Sequence, residues 1–257
     1  MHKKTIAIKQ EIQKLQSYEN RVEYLHDKYR GEDCVLLTCG PSLLEYSQDF
    51  LDEYLKDKLV LSVKAAYLRH SEVTDFHFFN CCNLPHPNEQ GVHYSHTPNT
   101  IPVASSNFQE GAIISSNQMY DIFFKIPCVD VRTQLNAFVS INKDFDSALL
   151  SNSFTRPVGP GIMYETVMFM AVHLGVKKIT TLGWDLSQKS ISSTNDYDHF
   201  YAKESSFFRP GTMMDWEIDT TRDASKDLYY WLSDKGIELN IASENSSLYE
   251  NIPRVEL

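Results

Sequence analysis

Apolar residues recur along this chain in two rhythms, short unbroken runs and helical spacing, and the two alternate. Cys34-Val35-Leu36-Leu37-Thr38 is an apolar run ended by Gly40-Pro41, which predicts a buried strand and a turn. Residues 43–57 then read as helix, Leu59-Val60-Leu61-Ser62-Val63 as a second strand and Phe76-His77-Phe78-Phe79 as a third. Further on, Met163, Val167, Met170, Ala171 and Leu174 form one apolar helical face over 162–175. Pro160-Gly161 stands before that face and Gly175 supplies its C-terminal stop. A strand over Lys178–Leu182 follows and runs into Gly183-Trp184-Asp185. Residues 221–235 read as an amphipathic helix with Leu228, Trp231 and Leu232 on one side, and Glu238–Ile241 as the last strand. Strand–helix–strand units at this spacing predict an α/β fold, a Rossmann-like and mostly parallel sheet with helices on both faces.

Three segments fall outside that alternation. Residues 5–30 are rich in Lys, Glu and Gln, with Ile8, Ile12, Leu15 and Tyr18 at helical spacing. They predict an N-terminal helical extension over 1–30 packed on the domain; a helical contact in a homo-oligomer is the alternative. Residues 83–100, rich in Pro, Asn and His, read as a loop, and the short apolar runs of 101–140 fit no single element. Residues 186–219 are polar, with interleaved aromatics and a Pro210-Gly211 turn. An irregular stretch of that length inside a compact domain is commonly a lid or binding loop. The expected organisation is therefore one domain over 31–257 with a lid at about 186–219.

Composition narrows the classes. The chain has 257 residues, with 42% apolar and 23% charged residues, enough for a globular core. Lys plus Arg total 24 against 34 Asp plus Glu, a net charge of −10. No overall basic field draws in phosphate, so a nucleic-acid partner is not expected and an anionic ligand needs a local site. The 5 cysteines include no CxxC pair, which argues against a disulfide framework or structural zinc and for a reducing, cytoplasmic location. No run of about 18 apolar residues occurs, so any membrane contact is expected to be peripheral.

Five places can carry chemistry. Gly40-Pro41-Ser42 follows a strand, where glycine lets a phosphate approach and a turn offers N–H and hydroxyl donors, although a plain strand-to-helix turn reads the same way. Asn80, at the end of the third strand, can read a base or ribose through its amide, or simply form a turn. Asp185 can accept ribose hydroxyls or cap the next segment, and Trp184 can wall a nucleoside or fill the core. Asp196-Tyr197-Asp198-His199-Phe200-Tyr201 places an imidazole beside carboxylates, a general-base arrangement, in what is otherwise a solvated loop. His86, His93 and His96 lie among Pro85, Pro87 and Pro98, which removes the helix that a HxxH metal pair would use. No metal site is predicted.

Taken together, these segments resemble one group of enzymes. Cys39-Gly40-Pro41-Ser42-Leu43 after a strand is similar to the nucleotide-binding opening of bacterial sialyltransferases. It is also similar to that of the motility accessory factors, flagellin glycosyltransferases of CMP-activated nonulosonic acids; archaeal 6-hydroxymethylpterin diphosphokinases share the broader superfamily. Gly159 through Leu186 resembles their glycine-rich turn, helix, strand and G-x-D-L element, and Ile241 through Arg254 resembles the accessory-factor ending. Cys39 stands where the first block of these families commonly has Asn, and Val63-Lys64-Ala65 stands where their second strand commonly ends near an Asn. The resemblance implies a variant GT-A sialyltransferase fold. The implied activity is metal-independent transfer of an acidic sugar from a CMP donor to a glycan, lipid-linked or protein hydroxyl.

By the same resemblance Cys39, Gly40, Pro41, Ser42, Asn80, Gly161, Trp184 and Asp185 would line the donor site. Gly40 and Ser42 would hold the donor phosphate. His199, or failing it Asp198 or Asp215, would be the base, and Tyr197, Tyr201 and the Gly40–Ser42 amides would meet the leaving phosphate. The rival expectations are a pterin diphosphokinase, which would need ATP and Mg²⁺, and a non-enzymatic nucleotide-binding module.

Overall fold

A computed structural model of the chain describes residues 2–80, 82–83, 94–105, 113–114, 119–124, 145–146, 149–150, 162–186 and 215–257. Seven strands form one parallel sheet: β1 (Asp33–Leu37), β2 (Leu59–Val63), β3 (Phe76–Asn80), β5 (Ile101–Ser105), β7 (Ile122–Phe124), β8 (Lys178–Leu182) and β9 (Glu238–Ile241). Their order is β7-β5-β3-β2-β1-β8-β9. Two short strands, β4 (Cys82–Asn83) and β6 (Ile113–Ile114), make a separate antiparallel pair.

Apolar runs without alternation are what a sheet covered on both faces requires. In β2, Leu59, Leu61 and Val63 join one core, whereas Val60 joins the other. The first core is covered by α1 (His2–Ile12), α2 (Tyr18–Leu25), α5 (Met168–His173) and α6 (Asp215–Asp234), through Ile8, Ile12, Leu25, Phe169 and Leu228 among others. The second is covered by α3 (Gln48–Leu55), α4 (Ala66–Arg69) and the tail, through Leu51, Leu55, Ala66 and the partly buried Val255 and Leu257. The expected Rossmann-like sheet with helices on both faces is thus the observed fold. Among the described residues no helix is long and apolar enough to cross a membrane.

Residues 2–30 are built into this frame. The single helical pattern divides at Ser17, whose hydroxyl accepts from Asn20 N–H at 3.2 Å and starts α2. Thr5 of α1 donates to the buried Asp75 and lies 2.9 Å from the Tyr29 hydroxyl, while Asp75 accepts Val60 N–H at 3.0 Å. Arg21 of α2 donates to the Asp121 carbonyl at 2.6 Å. These contacts fasten both helices across the sheet from β2 to β7.

Other elements depart from the pattern for identifiable reasons. The helix expected over 43–57 is a 3₁₀ turn at Pro41–Leu44 and then α3, because Ser47 caps a new start by accepting from Phe50 N–H at 3.3 Å. The apolar face over 162–175 is helical, but Met163–Val167 winds as a π segment before α5, and Gly175 at φ +83° ends it. Residues 215–219, expected in the lid, form the first turns of α6. β5 carries Pro102, whose carbonyl accepts from Asp121 N–H at 2.9 Å on the β7 side. The N–H that Pro102 lacks therefore faces the short edge strand, where its loss is tolerated.

Candidate functional site

Crossovers from β1 run towards β2 on one side of the sheet, and β8 continues to β9 on the other. The carboxyl ends of β1 and β8 therefore flank the point where strand order reverses, the usual ligand crevice of open parallel sheets. The turn after β1 carries Cys39-Gly40-Pro41-Ser42 and the turn after β8 carries Gly183-Trp184-Asp185.

These two turns are bonded directly to each other. Ser42 N–H donates to Asp185 Oδ2 at 2.8 Å, and its hydroxyl donates to Asp185 Oδ1 at 2.6 Å. The same hydroxyl accepts from Gly183 N–H at 3.0 Å, and Gly40 N–H donates to the Gly183 carbonyl at 2.7 Å. Ser42 and Asp185 are 1% and 3% exposed, so the latch is sealed from solvent. Gly40 is required by proximity rather than by its backbone angle. At φ −71° any residue fits, but a Cβ there would lie 2.3 Å from Gly183 O and 2.4 Å from Asp185 Oδ2. Gly183 needs both freedoms, with φ +82° and a Cβ position 2.5 Å from the Thr38 carbonyl.

A third turn closes the back of the crevice. Ser247 N–H donates to the Asp185 carbonyl at 2.7 Å and the Ser246 hydroxyl donates to the Trp184 carbonyl at 2.9 Å. Arg254 holds this turn by donating to the carbonyls of Ser246, Leu248, Tyr249 and Ile252. Trp184 is 7% exposed and packs edge-on against Tyr164 of the π segment, ring centres 5.6 Å apart. The tyrosine hydroxyl donates to the Thr221 carbonyl of α6 at 3.2 Å.

Electrostatically this side is acidic. The Glu45 carboxyl is pushed up by partial burial and by the charges of Asp185 and Glu244. The other side, at the ends of β2 and β3, differs. Lys64 is exposed, and its N–H donates to Phe78 O at 2.8 Å. Its carbonyl accepts from His77 Nε2 at 2.9 Å, and His77 Nδ1 lies 2.8 Å from His96 Nε2. His77 Nε2 must carry hydrogen to donate to the carbonyl, so Nδ1 is the acceptor and His96 the donor, a neutral pair. Tyr67 stacks on His77 at 4.3 Å. Cys39, partly buried at the end of β1, directs its thiol at the Val63 carbonyl, 3.4 Å away. Burial raises the Cys39 pKa; the Lys64 charge and the amides of Ala66 and Ala65 act against that rise.

Burial drives the His77 pKa far down and holds that of His96 at about 4, with the Lys9 charge adding to the second. Both imidazoles stay neutral in the fold, whereas in the unfolded chain each takes a proton near pH 6.5. Stability is thus expected to fall as pH drops from about 6.5 towards 4, by on the order of 2–3 kcal/mol for His96 alone. Melting curves at pH 7 and 4.5 check this. The drop should be smaller in His96→Asn, because the proton uptake that drives it is gone.

Of the residues singled out in the sequence, Cys39, Gly40, Pro41, Ser42, Trp184 and Asp185 meet at this edge, and Asn80 ends β3 two strands away. Gly161, Tyr197, Asp198, His199 and Tyr201 lie outside the described residues, as do His86 and His93. Asp215 opens α6. Ser42 differs from expectation in one respect: the N–H and hydroxyl expected to face phosphate are both occupied by Asp185. Glu45 carries no turn or motif signal that would single it out, and Lys64, Glu244, Ser246 and Ser247 fall in stretches that the resemblance covers without giving them a role. No group of three His, Cys, Asp or Glu among the described residues is placed to hold a metal ion.

Fold and edge together define an open α/β protein with a switch-point crevice. No known protein family and no curated protein matches the chain. Solved structures similar to it include the MAf glycosyltransferase from Magnetospirillum magneticum AMB-1, at 10% identity and a TM-score of 0.46, covering 90% of this chain. The chain spans about a third of that protein's length, 34%.

Proposed function

We propose that this chain is a glycosyltransferase that moves an acidic sugar from a CMP-activated donor to a hydroxyl acceptor. The observation that carries the reading is the latch itself. Two segments 143 residues apart, each resembling a donor-site element of the same enzymes, are joined through Ser42 and Asp185 where a parallel sheet reverses its strand order. A crevice of that kind is where such sheets bind nucleotides.

In the proposed reaction the acceptor oxygen bonds to the anomeric carbon as the bond from that carbon to the phosphate oxygen breaks. CMP leaves with the bonding electrons, and the acceptor proton passes to a base, for which His199 is the candidate. Tyr197 and Tyr201 donate to the departing phosphate. The Gly40–Ser42 and Gly183–Asp185 turns form the rigid floor, and their mutual hydrogen bonds keep it formed before the ligand arrives. No metal takes part in this scheme.

A thermal-shift series tests the donor class, because a ligand that binds only the native state raises apparent stability. CMP and CDP, without divalent metal, should raise the melting temperature more than AMP, GMP or UMP. Equal shifts with all five, or a shift only with ATP and Mg²⁺, would contradict the CMP reading. His199→Ala should lower turnover by roughly a hundredfold, the scale of a general base, and leave CMP affinity within twofold; unchanged turnover would remove His199 from the mechanism.

A further inference from the structure

We propose that Lys64 is the residue that meets the anionic phosphate of the nucleotide, and that the ligand lies with its phosphate towards β2 and its hydroxyl-rich end towards β8. The inference rests on the nucleotide-site reading but assigns a cationic residue and an orientation which that reading lacks.

Charge is the first observation. The described residues that directly follow β1, β2, β8 and β9 are Thr38, Lys64, Gly183 and Ala242, and of these only Lys64 carries charge. Lys64 is exposed and makes no ion pair among the described residues, and its field reaches the Cys39 thiol at the end of β1. On the β8 side the crevice holds Asp185, Glu45 and Glu244, close enough that the other two charges raise the Glu45 carboxyl. A phosphate bearing more than one negative charge is repelled there and attracted at Lys64. The donors that a phosphate would otherwise use at Ser42 are already held by Asp185.

Backbone geometry is the second observation, and it is independent of charge. Lys64 sits at φ +47°, the left-handed region that disfavours a residue with a Cβ. Its N–H is fixed to Phe78 O and its carbonyl to His77 Nε2, and His77 is itself held by His96 and stacked on Tyr67. A buried imidazole and aromatic cluster is thus built against one strained strand end, and the residue placed there is a lysine where glycine would fit without strain. Such strain is kept where the side chain has a use. His77 acts through Lys64 and is a positioning residue.

The experiment measures binding of CMP and of cytidine to the wild type and to Lys64→Ala, Lys64→Arg, Lys64→Gly and, as a remote charge control, Lys56→Ala. Losing one charge-assisted contact weakens binding about ten- to a hundredfold. Lys64→Ala and Lys64→Gly should lose that much for CMP and nothing for cytidine. Lys64→Arg and Lys56→Ala should stay within about threefold of wild type. Ligand-free Lys64→Gly should melt about 2–4 °C higher as the strain is relieved.

CMP affinity in Lys64→Ala equal to wild type overturns the assignment and leaves the donor class standing. So does an equal loss for CMP and cytidine, or a wild type that binds the two alike. A wild type that binds CMP, AMP and UMP equally overturns the donor class instead, and the nucleotide-to-nucleoside ratio still decides Lys64. A wild type that binds none of these overturns both.

Discussion

Asp185→Ala should lower the melting temperature by about 10 °C, a loss of roughly 3 kcal/mol at the scale of two charge-assisted hydrogen bonds in a chain of this size. The Asp185 carboxylate is 3% exposed and uses one oxygen for the Ser42 N–H and the other for the Ser42 hydroxyl. Removing it leaves both donors buried without their acceptor, and an orphaned buried donor costs more than the net worth of the bond it made. Asp185→Asn retains the shape and one carbonyl acceptor, so its loss should be intermediate. Ser42→Ala gives up the hydroxyl bond and keeps the one from the N–H, so it too should fall between wild type and Asp185→Ala. The double variant Ser42→Ala, Asp185→Ala should cost less than the sum of the two, because both single changes break the same contact. Thermal or urea denaturation of the four proteins checks the order, and additive losses would mean that the two turns are not coupled as described.

Gly40→Ala should be at least as damaging, at about 3 kcal/mol or more, the upper range for overpacking a rigid site. The added methyl would lie 2.3 Å from the Gly183 carbonyl oxygen, which already accepts the Gly40 N–H at 2.7 Å, and 2.4 Å from the Asp185 carboxylate. Neither neighbour is the free end of a flexible side chain. Relief requires the two turns to separate, which opens the crevice. Gly183→Ala meets the Thr38 carbonyl at 2.5 Å and carries left-handed strain besides. Gly31 and Gly236 provide the contrast: both have positive φ, yet an added Cβ meets nothing within 4 Å, so alanine there should cost only the strain, roughly 1 kcal/mol. Melting temperatures of the four alanine variants should therefore divide into two clear pairs.

How much of this was legible in the sequence depends on whether the cause was local. β1, β2, β3, β8 and β9 appear as apolar runs because a strand covered on both faces needs no polar side. β5 and β7 were not legible: Pro102 interrupts the first, and the second has 3 residues. The helix over 162–175 is plain from its spacing, but the π winding of Met163–Val167 leaves no mark in that pattern. At the site, Ser42 and Asp185 each stand out beside their glycines. That they bond to each other follows only from the strand order, which sets β8 next to β1. No role for Lys64 was legible, since its left-handed turn is held by His77 and Phe78 on the neighbouring strand and not signalled by a turn residue of its own.

The central claim, that the β1/β8 crevice serves a CMP-activated acidic sugar, is tested most directly by following CMP release. The purified chain would be incubated with CMP-sialic acid in the presence of EDTA, and nuclear magnetic resonance would record free CMP and the released or transferred sugar. The account predicts CMP release above the protein-free rate with the metal chelated, and its loss in Gly40→Ala at temperatures where that variant is still folded. An unchanged donor, together with phosphoryl transfer seen only with ATP and Mg²⁺, would contradict it.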